Sequence, residues 1–372
     1  MSSQPMASRL GPWLRSRLPN LDPVLLAALG VLCLLGLVTL YSAASDHPGR
    51  FGEQVRNFAL AAALMVAIAG LTPRVLKRLA LPVYALGLVL LVAVLVAGVS
   101  VKGAQRWLDL GVMRIQPAEM MKLSVPLMLA WYFDRREGAV RRIDFAVAAL
   151  VVLVPVALII RQPDLGTALL VLAAGFFVIF FAGLPWLWLG VMGGGTLALM
   201  PVAWGLMHDY QRNRILTLVD PMSDPLGKGF HTLQAMIAIG SGGAFGKGWM
   251  QGTQTHLEFI PERTSDFIFA VYSEEFGLIG NLVLLVLFLV LVARALAIAG
   301  QAGTSFSRLL AGSIAMILFT FAFVNMAMVS GILPVVGVPL PFISYGGTAL
   351  VTLGMACGML MCVQSHRKLV QM

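Results

Sequence analysis

Charge is scarce in this chain. Only 12% of its 372 residues are Asp, Glu, Lys or Arg, whereas 59% are hydrophobic and the mean hydropathy is +0.88. One water-soluble core cannot bury that much apolar surface, so a soluble globular fold is excluded and the bilayer must act as solvent. Cysteine is scarce too. Cys33, Cys357 and Cys362 lie inside apolar runs without C-x-x-C spacing, which excludes a disulfide framework and a cysteine metal cluster. Internal repeats, low-complexity tracts and a soluble domain are also missing, and residues 1–372 read as a single integral membrane domain.

What is present is a series of long apolar runs: Val24–Tyr41, Phe58–Leu71, Leu79–Val99, Met120–Phe133, Phe145–Ile160, Leu165–Ala182, Leu184–Met207, Phe267–Ala293, Leu309–Val329 and Ile343–Val363. They predict an all-α polytopic membrane protein of about ten transmembrane helices. Several runs fall short of the ~20 residues a crossing needs, so their helices must extend into polar flanks or sit in thinned membrane. The first run exceeds a cleavable signal's ~7–15 residue core and reads as an uncleaved anchor.

Lys and Arg set the orientation. With ten crossings and a cytoplasmic N-terminus, the cytoplasmic face holds fourteen basic residues, Arg74, Lys77, Arg135 and Arg294 among them, against four acidic ones, Asp22, Asp134, Glu137 and Asp144. That face nets +10 and the outer face −1, as the positive-inside rule requires. Both termini are then cytoplasmic. The overall +9 is explained by membrane lipid head groups without nucleic acid.

Connections are short except for the outer segment at about 208–266, between the seventh and eighth crossings. Loops beyond ~12–15 residues are usually functional or disordered. This one carries aromatics, an apolar stretch at Leu233–Ile239 and a glycine cluster, so short helices packed back against the bundle are expected. Its stretch Ser241–Trp249, SGGAFGKGW, lacks the P-loop pattern: Ser241 stands where the first glycine belongs and Gly248 follows Lys247. A tight turn that lets loop and helix approach closely is the better reading.

The outer face gathers the candidate site. Arg114, Gln116, Glu119 and Lys122 open the fourth crossing; Arg161, Gln162 and Asp164 follow the fifth; Arg212 and Arg214 lie in the long loop; Glu258, Glu262, Arg263 and Asp266 precede the eighth. Glu119 and Lys122 stand three apart on one helical face and can simply pair. Alternatively, Lys122, one turn inside an apolar run, requires a wet cavity and an anionic partner. Together these groups would line an outward-opening cavity suited to a ligand carrying phosphates and hydroxyls. Asp266 is the expected catalytic carboxylate, although a residue at a helix start could be only an N-cap worth ~1 kcal/mol. No crossing holds the chain of mid-membrane acids or histidines that a proton relay would use, which weighs against a proton-driven pump.

The stretches RIQPAEMMKL (Arg114–Leu123), RQPDLGTALL (Arg161–Leu170), DPLGKGFHTLQAMIAIGSGGAFGKGW (Asp224–Trp249), GTQTHLEFIPERTSDFIFAVYSEEFGLIG (Gly252–Gly280) and GILPVVGVPLPFISYGG (Gly331–Gly347) resemble the SEDS family across essentially the whole chain. Within it, PVVGVPLP (Pro334–Pro341) and LEFIPER (Leu257–Arg263) resemble the elongation branch more than the division branch. Ala118 departs from the Ser that many members carry there.

The resemblance implies a ten-helix peptidoglycan glycosyltransferase that polymerises lipid II at the outer face of the bacterial inner membrane beside a class B penicillin-binding protein. It implies that Asp266 is the catalytic aspartate, with Glu119 and Lys122 lining the central cavity. Asp266 would act as general base in an inverting displacement of undecaprenyl pyrophosphate. Lys122, the loop arginines or a divalent cation, Mg²⁺ or Mn²⁺, would stabilise the leaving group. Glu119 and Asp266 are the residues expected to hold such a cation. Two alternatives remain open at this stage: a lipid II flippase, and a noncatalytic scaffold for a penicillin-binding protein.

Overall fold

The computed structural model describes residues 21–101, 104–109, 111, 114–206, 212, 216, 228–256 and 262–366. Among them, twelve helices and a small antiparallel sheet follow in chain order: α1 Pro23–Ala43, α2 Pro48–Ala69, α3 Pro73–Ala97, β1 Val99–Val101, β2 Ala104–Asp109, β3 Arg114–Ile115, α4 Pro117–Asp134, α5 Arg142–Arg161, α6 Leu165–Phe181, α7 Trp186–Leu206, α8 Lys228–Ser241, α9 Thr253–His256, α10 Ile268–Gly300, α11 Ser305–Val329 and α12 Gly347–Ser365.

Each of the ten apolar runs is carried by one of these helices, leaving α8 and α9 as the short helices of the long loop. Seven are long and apolar enough to cross a membrane by themselves. Two of the other three fall short for identifiable reasons: α6 has 17 residues, and α4 places Glu119 and Lys122 among its 18. The short run after Phe58 gains length as anticipated, because α2 begins ten residues earlier at Pro48 within the polar flank. Proline at the first helical turn of α1, α2, α3 and α4 fixes each entry without sacrificing a helical hydrogen bond.

Helices α4, α11 and α12 are buried over most of their length and form the centre. Glycine lets α12 approach α2: a Cβ on Gly354 or Gly358 would fall 2.7 Å from the backbone oxygens of Ala61 and Met65. Such four-residue spacing of small residues is how helices pack closely without a hydrophobic driving force.

Two polar ends result. At one, Asp22 caps α1, accepts from Arg294 of α10 and from Gln364 of α12, and Lys77 pairs with Asp134. At the other, the β-sheet, the start of α4 and the approach to α10 come together. The alternation of these ends along the chain is that of a multi-pass membrane protein.

Helix α10 is two helices joined at Gly277, whose backbone (φ 65, ψ −162) leaves the helical region. The glycine loop Ser241–Trp249 fills the break. Lys247 and Gly248 N–H donate to the Glu274 and Glu275 carbonyls at 3.0 Å each, while Gly243 and Ala244 carbonyls accept from Leu278 and Ile279 N–H at 2.9 and 3.1 Å. Side chains would prevent this: a Cβ on Gly242 or Gly246 would meet the Ser273 or Glu275 carbonyl at 2.2 or 2.1 Å. The cluster therefore serves close approach and supplies backbone groups that the broken helix lacks.

Candidate active site

A polar cavity of about 160 Å³ opens beside the N-terminal turns of α4, α6 and α12, lined by Arg106, Gln116, Glu119, Lys122, Asp164, Gly337, Thr348 and several apolar residues. Gln116 donates to Asp164 at 2.8 Å. Asp164 also caps α6 through Thr167 N–H at 3.2 Å and lies 3.8 Å from Arg106. Lys122 donates to Glu119 Oε1 at 2.5 Å, and its ammonium sits 4.7 Å from the Phe321 ring centre. The two readings of this pair thus meet: Glu119 and Lys122 bond to each other and line the cavity.

Glu119 Oε2 is buried and has no hydrogen-bond partner among the described residues. A bare acceptor of this kind is costly unless something is bound there. It is the donor type a hard divalent cation takes, so the residues fit a Mg²⁺-like ion to that extent. Among the described residues, no three His, Cys, Asp or Glu side chains converge.

Asp266 stands behind Gly337, one of the residues that line this cavity. Its Oδ2 lies 3.4 Å from the point where a Cβ on Gly337 would stand, and Gly337 lines the cavity. Asp266 is not the helix cap, which falls one residue later at Phe267. Three ties hold its segment against the 334–346 stretch. Asn325 donates to the Asp266 and Val338 carbonyls at 2.9 and 2.7 Å, Ser344 donates to the Ser265 carbonyl at 2.7 Å, and Tyr345 N–H donates to the Thr264 carbonyl at 2.8 Å.

The expectation of one cavity lined by every selected outer-face residue is corrected by this geometry. Arg263 is buried elsewhere, donating to the Ala43 and Thr255 carbonyls at 2.9 and 2.6 Å and pairing with Asp46. Burial pulls its guanidinium below its ordinary pKa, but its donors clamp the loop to the end of α1. Glu262 is exposed and accepts from Ser265 within its own turn. Arg114 pairs with Asp109 at 3.2 Å on the exposed hairpin, where the Gly111 N–H and then Arg114 hold the Asp109 carboxyl below the usual carboxylate range. Arg161 is exposed at the end of α5, and Gln162 is buried against the Leu91 carbonyl at 3.0 Å. Arg212 donates to the Trp204 and Gly205 carbonyls at the end of α7. Arg214 and Glu258 lie outside the described residues.

Sequence reasoning missed Arg106, Glu274 and Glu275. Arg106 lies in a six-residue strand with no charge pattern to single it out. Glu274 is buried and accepts from Lys247 Nζ, Gln254 N–H, Thr255 N–H and the Thr253 and Thr255 hydroxyls. Glu275 accepts from Ser42 and from Met250 N–H. Adjacent acids inside an apolar run were the available signal.

The fold and site define a polytopic helical membrane protein with a polar, cation-bearing cavity at one end and a carboxylate at its wall. Comparison with known proteins gives this class its family. A family model described as "Cell cycle protein", covering FtsW, RodA and SpoVE, matches residues 21–369. The chain is 47% identical over 352 residues to peptidoglycan glycosyltransferase MrdB of Escherichia coli (strain K12), covering 94% of this chain and 95% of that one. It is 35% identical over 367 residues to a probable peptidoglycan glycosyltransferase FtsW of Trichlorobacter lovleyi, covering 95% of each.

Among solved structures, a chain from "Structural coordination of polymerization and crosslinking by a peptidoglycan synthase complex" superposes with a TM-score of 0.82 at 37% identity, covering 94% of this chain and 99% of that one. Thermus thermophilus rod shape determining protein RodA superposes with a TM-score of 0.72 at 33% identity, covering 94% and 98%. The chain belongs to the FtsW/RodA/SpoVE family.

Proposed function

We infer that this chain is a peptidoglycan glycosyltransferase that extends glycan strands from lipid II during cell elongation. The observation that carries the reading is the placement of the Asp266 carboxylate at the Gly337 wall of the cavity holding Lys122 and Arg106. It supports a reaction that deprotonates a hydroxyl and expels a phosphate.

In this reading Asp266 takes the proton from the C4 hydroxyl of the acceptor's GlcNAc. The freed oxygen attacks the anomeric carbon of the donor's MurNAc from the face opposite the leaving group. Undecaprenyl pyrophosphate departs, and the α-linked donor becomes a β-1,4 linkage by inversion. Lys122 and Arg106 meet the charge that develops on the pyrophosphate, where preorganised cations lower the barrier most. The start of α12 at Thr348 adds a helix N-terminus to the same wall. A divalent cation held by Glu119 Oε2 and Asp266 would further neutralise the pyrophosphate.

The partner proposed is a class B penicillin-binding protein, supported by the likeness to a chain of a peptidoglycan synthase complex. The positively charged end, with both chain termini, is assigned to the cytoplasm of the bacterial inner membrane and the cavity to the outer side, following the positive-inside rule. Purified chain mixed with its cognate penicillin-binding protein and labelled lipid II tests the reading. Glycan ladders are expected, and their absence, with lipid II instead crossing liposomes, would favour a flippase.

A further inference from the structure

Asn325 lies in α11 and is fully buried. An amide in such a place is costly unless it is hydrogen-bonded. Its Nδ2 meets two carbonyl oxygens, those of Asp266 at 2.9 Å and Val338 at 2.7 Å. Two acceptors at one corner settle which end of the amide is nitrogen, since an oxygen there would face two oxygens. Its own Oδ1 is buried without a hydrogen-bond partner among the described residues, a cost that packing alone does not explain.

The two bonded segments meet at the site. Asp266 carries the carboxylate, and Val338 follows Gly337, the residue that separates this carboxylate from the cavity. The neighbouring ties, Ser344 to Ser265 and Tyr345 to Thr264, hold the same segments together a few residues away. Loss of Asn325 therefore leaves the chains side by side yet free to shift at Asp266.

We propose that Asn325 is a positioning residue for the transfer reaction: by bridging the Asp266 and Val338 carbonyls it fixes the Asp266 carboxylate against the cavity wall without touching substrate. This rests on the glycosyl-transfer reading above. A general base works only within hydrogen-bond reach of its proton. A displacement near 1 Å costs about 100-fold in rate.

The test is lipid II polymerisation by the full chain with its cognate penicillin-binding protein, comparing wild type, Asn325→Leu and Asn325→Asp, with melting temperature measured for each. Asn325→Leu keeps the branched shape and the number of side-chain heavy atoms, although it is bulkier, and removes both donors. Its kcat is expected to fall about 100-fold with KM for lipid II little changed. Asn325→Asp can donate one hydrogen bond while protonated, and ionisation would set a carboxylate against two carbonyls. Its rate is expected to fall as pH rises through a range where the wild-type rate does not.

A folded Asn325→Leu with wild-type kcat, or with raised KM alone, overturns the proposal. If that variant does not fold, the pH profile of Asn325→Asp decides, and a profile parallel to wild type overturns it. If wild type forms no glycan, the transfer reading itself fails and the positioning role falls with it.

Discussion

Lys122 donates to Glu119 Oε1 at 2.5 Å within one turn of α4, and both side chains are nearly excluded from solvent. A pair of opposite charges there is self-compensating, but either charge alone is not. Glu119→Gln or Lys122→Met should each lower stability by about 3–5 kcal/mol, the usual result of stranding one buried charge. The double change Glu119→Gln/Lys122→Met should recover much of that loss while glycan synthesis stays abolished. Thermal melting in detergent, set beside polymerisation, separates the two effects.

The glycine loop at the α10 break gives a ranked prediction. Gly246 (φ +81) has the Glu275 carbonyl 2.1 Å from its added Cβ, whereas Gly243 (φ +55) has nothing within 4 Å. Gly243→Ala should incur backbone strain of about 1–3 kcal/mol, and Gly246→Ala that strain plus a clash with backbone that cannot move aside. The melting temperature of Gly246→Ala should be distinctly the lower of the two.

The two arginine environments make opposite predictions. Arg106 lines the cavity and is assigned to the charge that develops on the leaving group, so Arg106→Ala should lower kcat/KM for lipid II by about 10- to 100-fold, mainly through kcat, the value of a charge-assisted hydrogen bond. Arg263 clamps the loop to α1. Arg263→Lys cannot reproduce its fork of donors and should lower the melting temperature with kcat/KM little altered. Steady-state kinetics beside melting curves distinguish substrate contact from clamp.

At the opposite end, burial pushes the Asp22 carboxyl up, but the Arg294 guanidinium and the Leu25 N–H outweigh it and hold the folded-state pKa below the ordinary value. A carboxyl depressed on folding contributes stability above its unfolded pKa, and that contribution is lost as pH falls through the folded value. Asp22→Asn should therefore be less stable than wild type at neutral pH. The difference should shrink as pH drops below about 4, the ordinary Asp value. Melting temperature followed against pH reads this convergence.

Much of the helical plan is legible in the sequence because lipid imposes it. Apolar runs must become helices where no water can satisfy the backbone, and each run from Val24 to Val363 lies on one. The gathering of Gln116, Glu119, Lys122 and Asp164 is legible for a related reason: polar groups inside apolar flanks need a wet or paired site. The same reasoning overreached at Arg114, Arg161, Gln162, Arg212, Glu262 and Arg263. A shared outer face restricts residues to one end of the bundle and does not bring them to one point. Arg106 depends on the β1–β2 pairing of Ser100 with Gln105, a register that no local pattern announces. Glu274 and Glu275 were absorbed into an apolar run whose interruption at Gly277 only the folded backbone exposes.

The central claim is that Asp266 is the base of a glycosyl transfer, and the most direct measurement is single-turnover polymerisation of labelled lipid II by wild type and Asp266→Asn, each bound to the same penicillin-binding protein. The amide is isosteric and cannot accept the acceptor's proton. The account predicts unchanged lipid II binding and a transfer rate lower by about 10²–10⁴-fold, the range for loss of a general base. An Asp266→Asn protein that binds lipid II and builds glycan at the wild-type rate would contradict it.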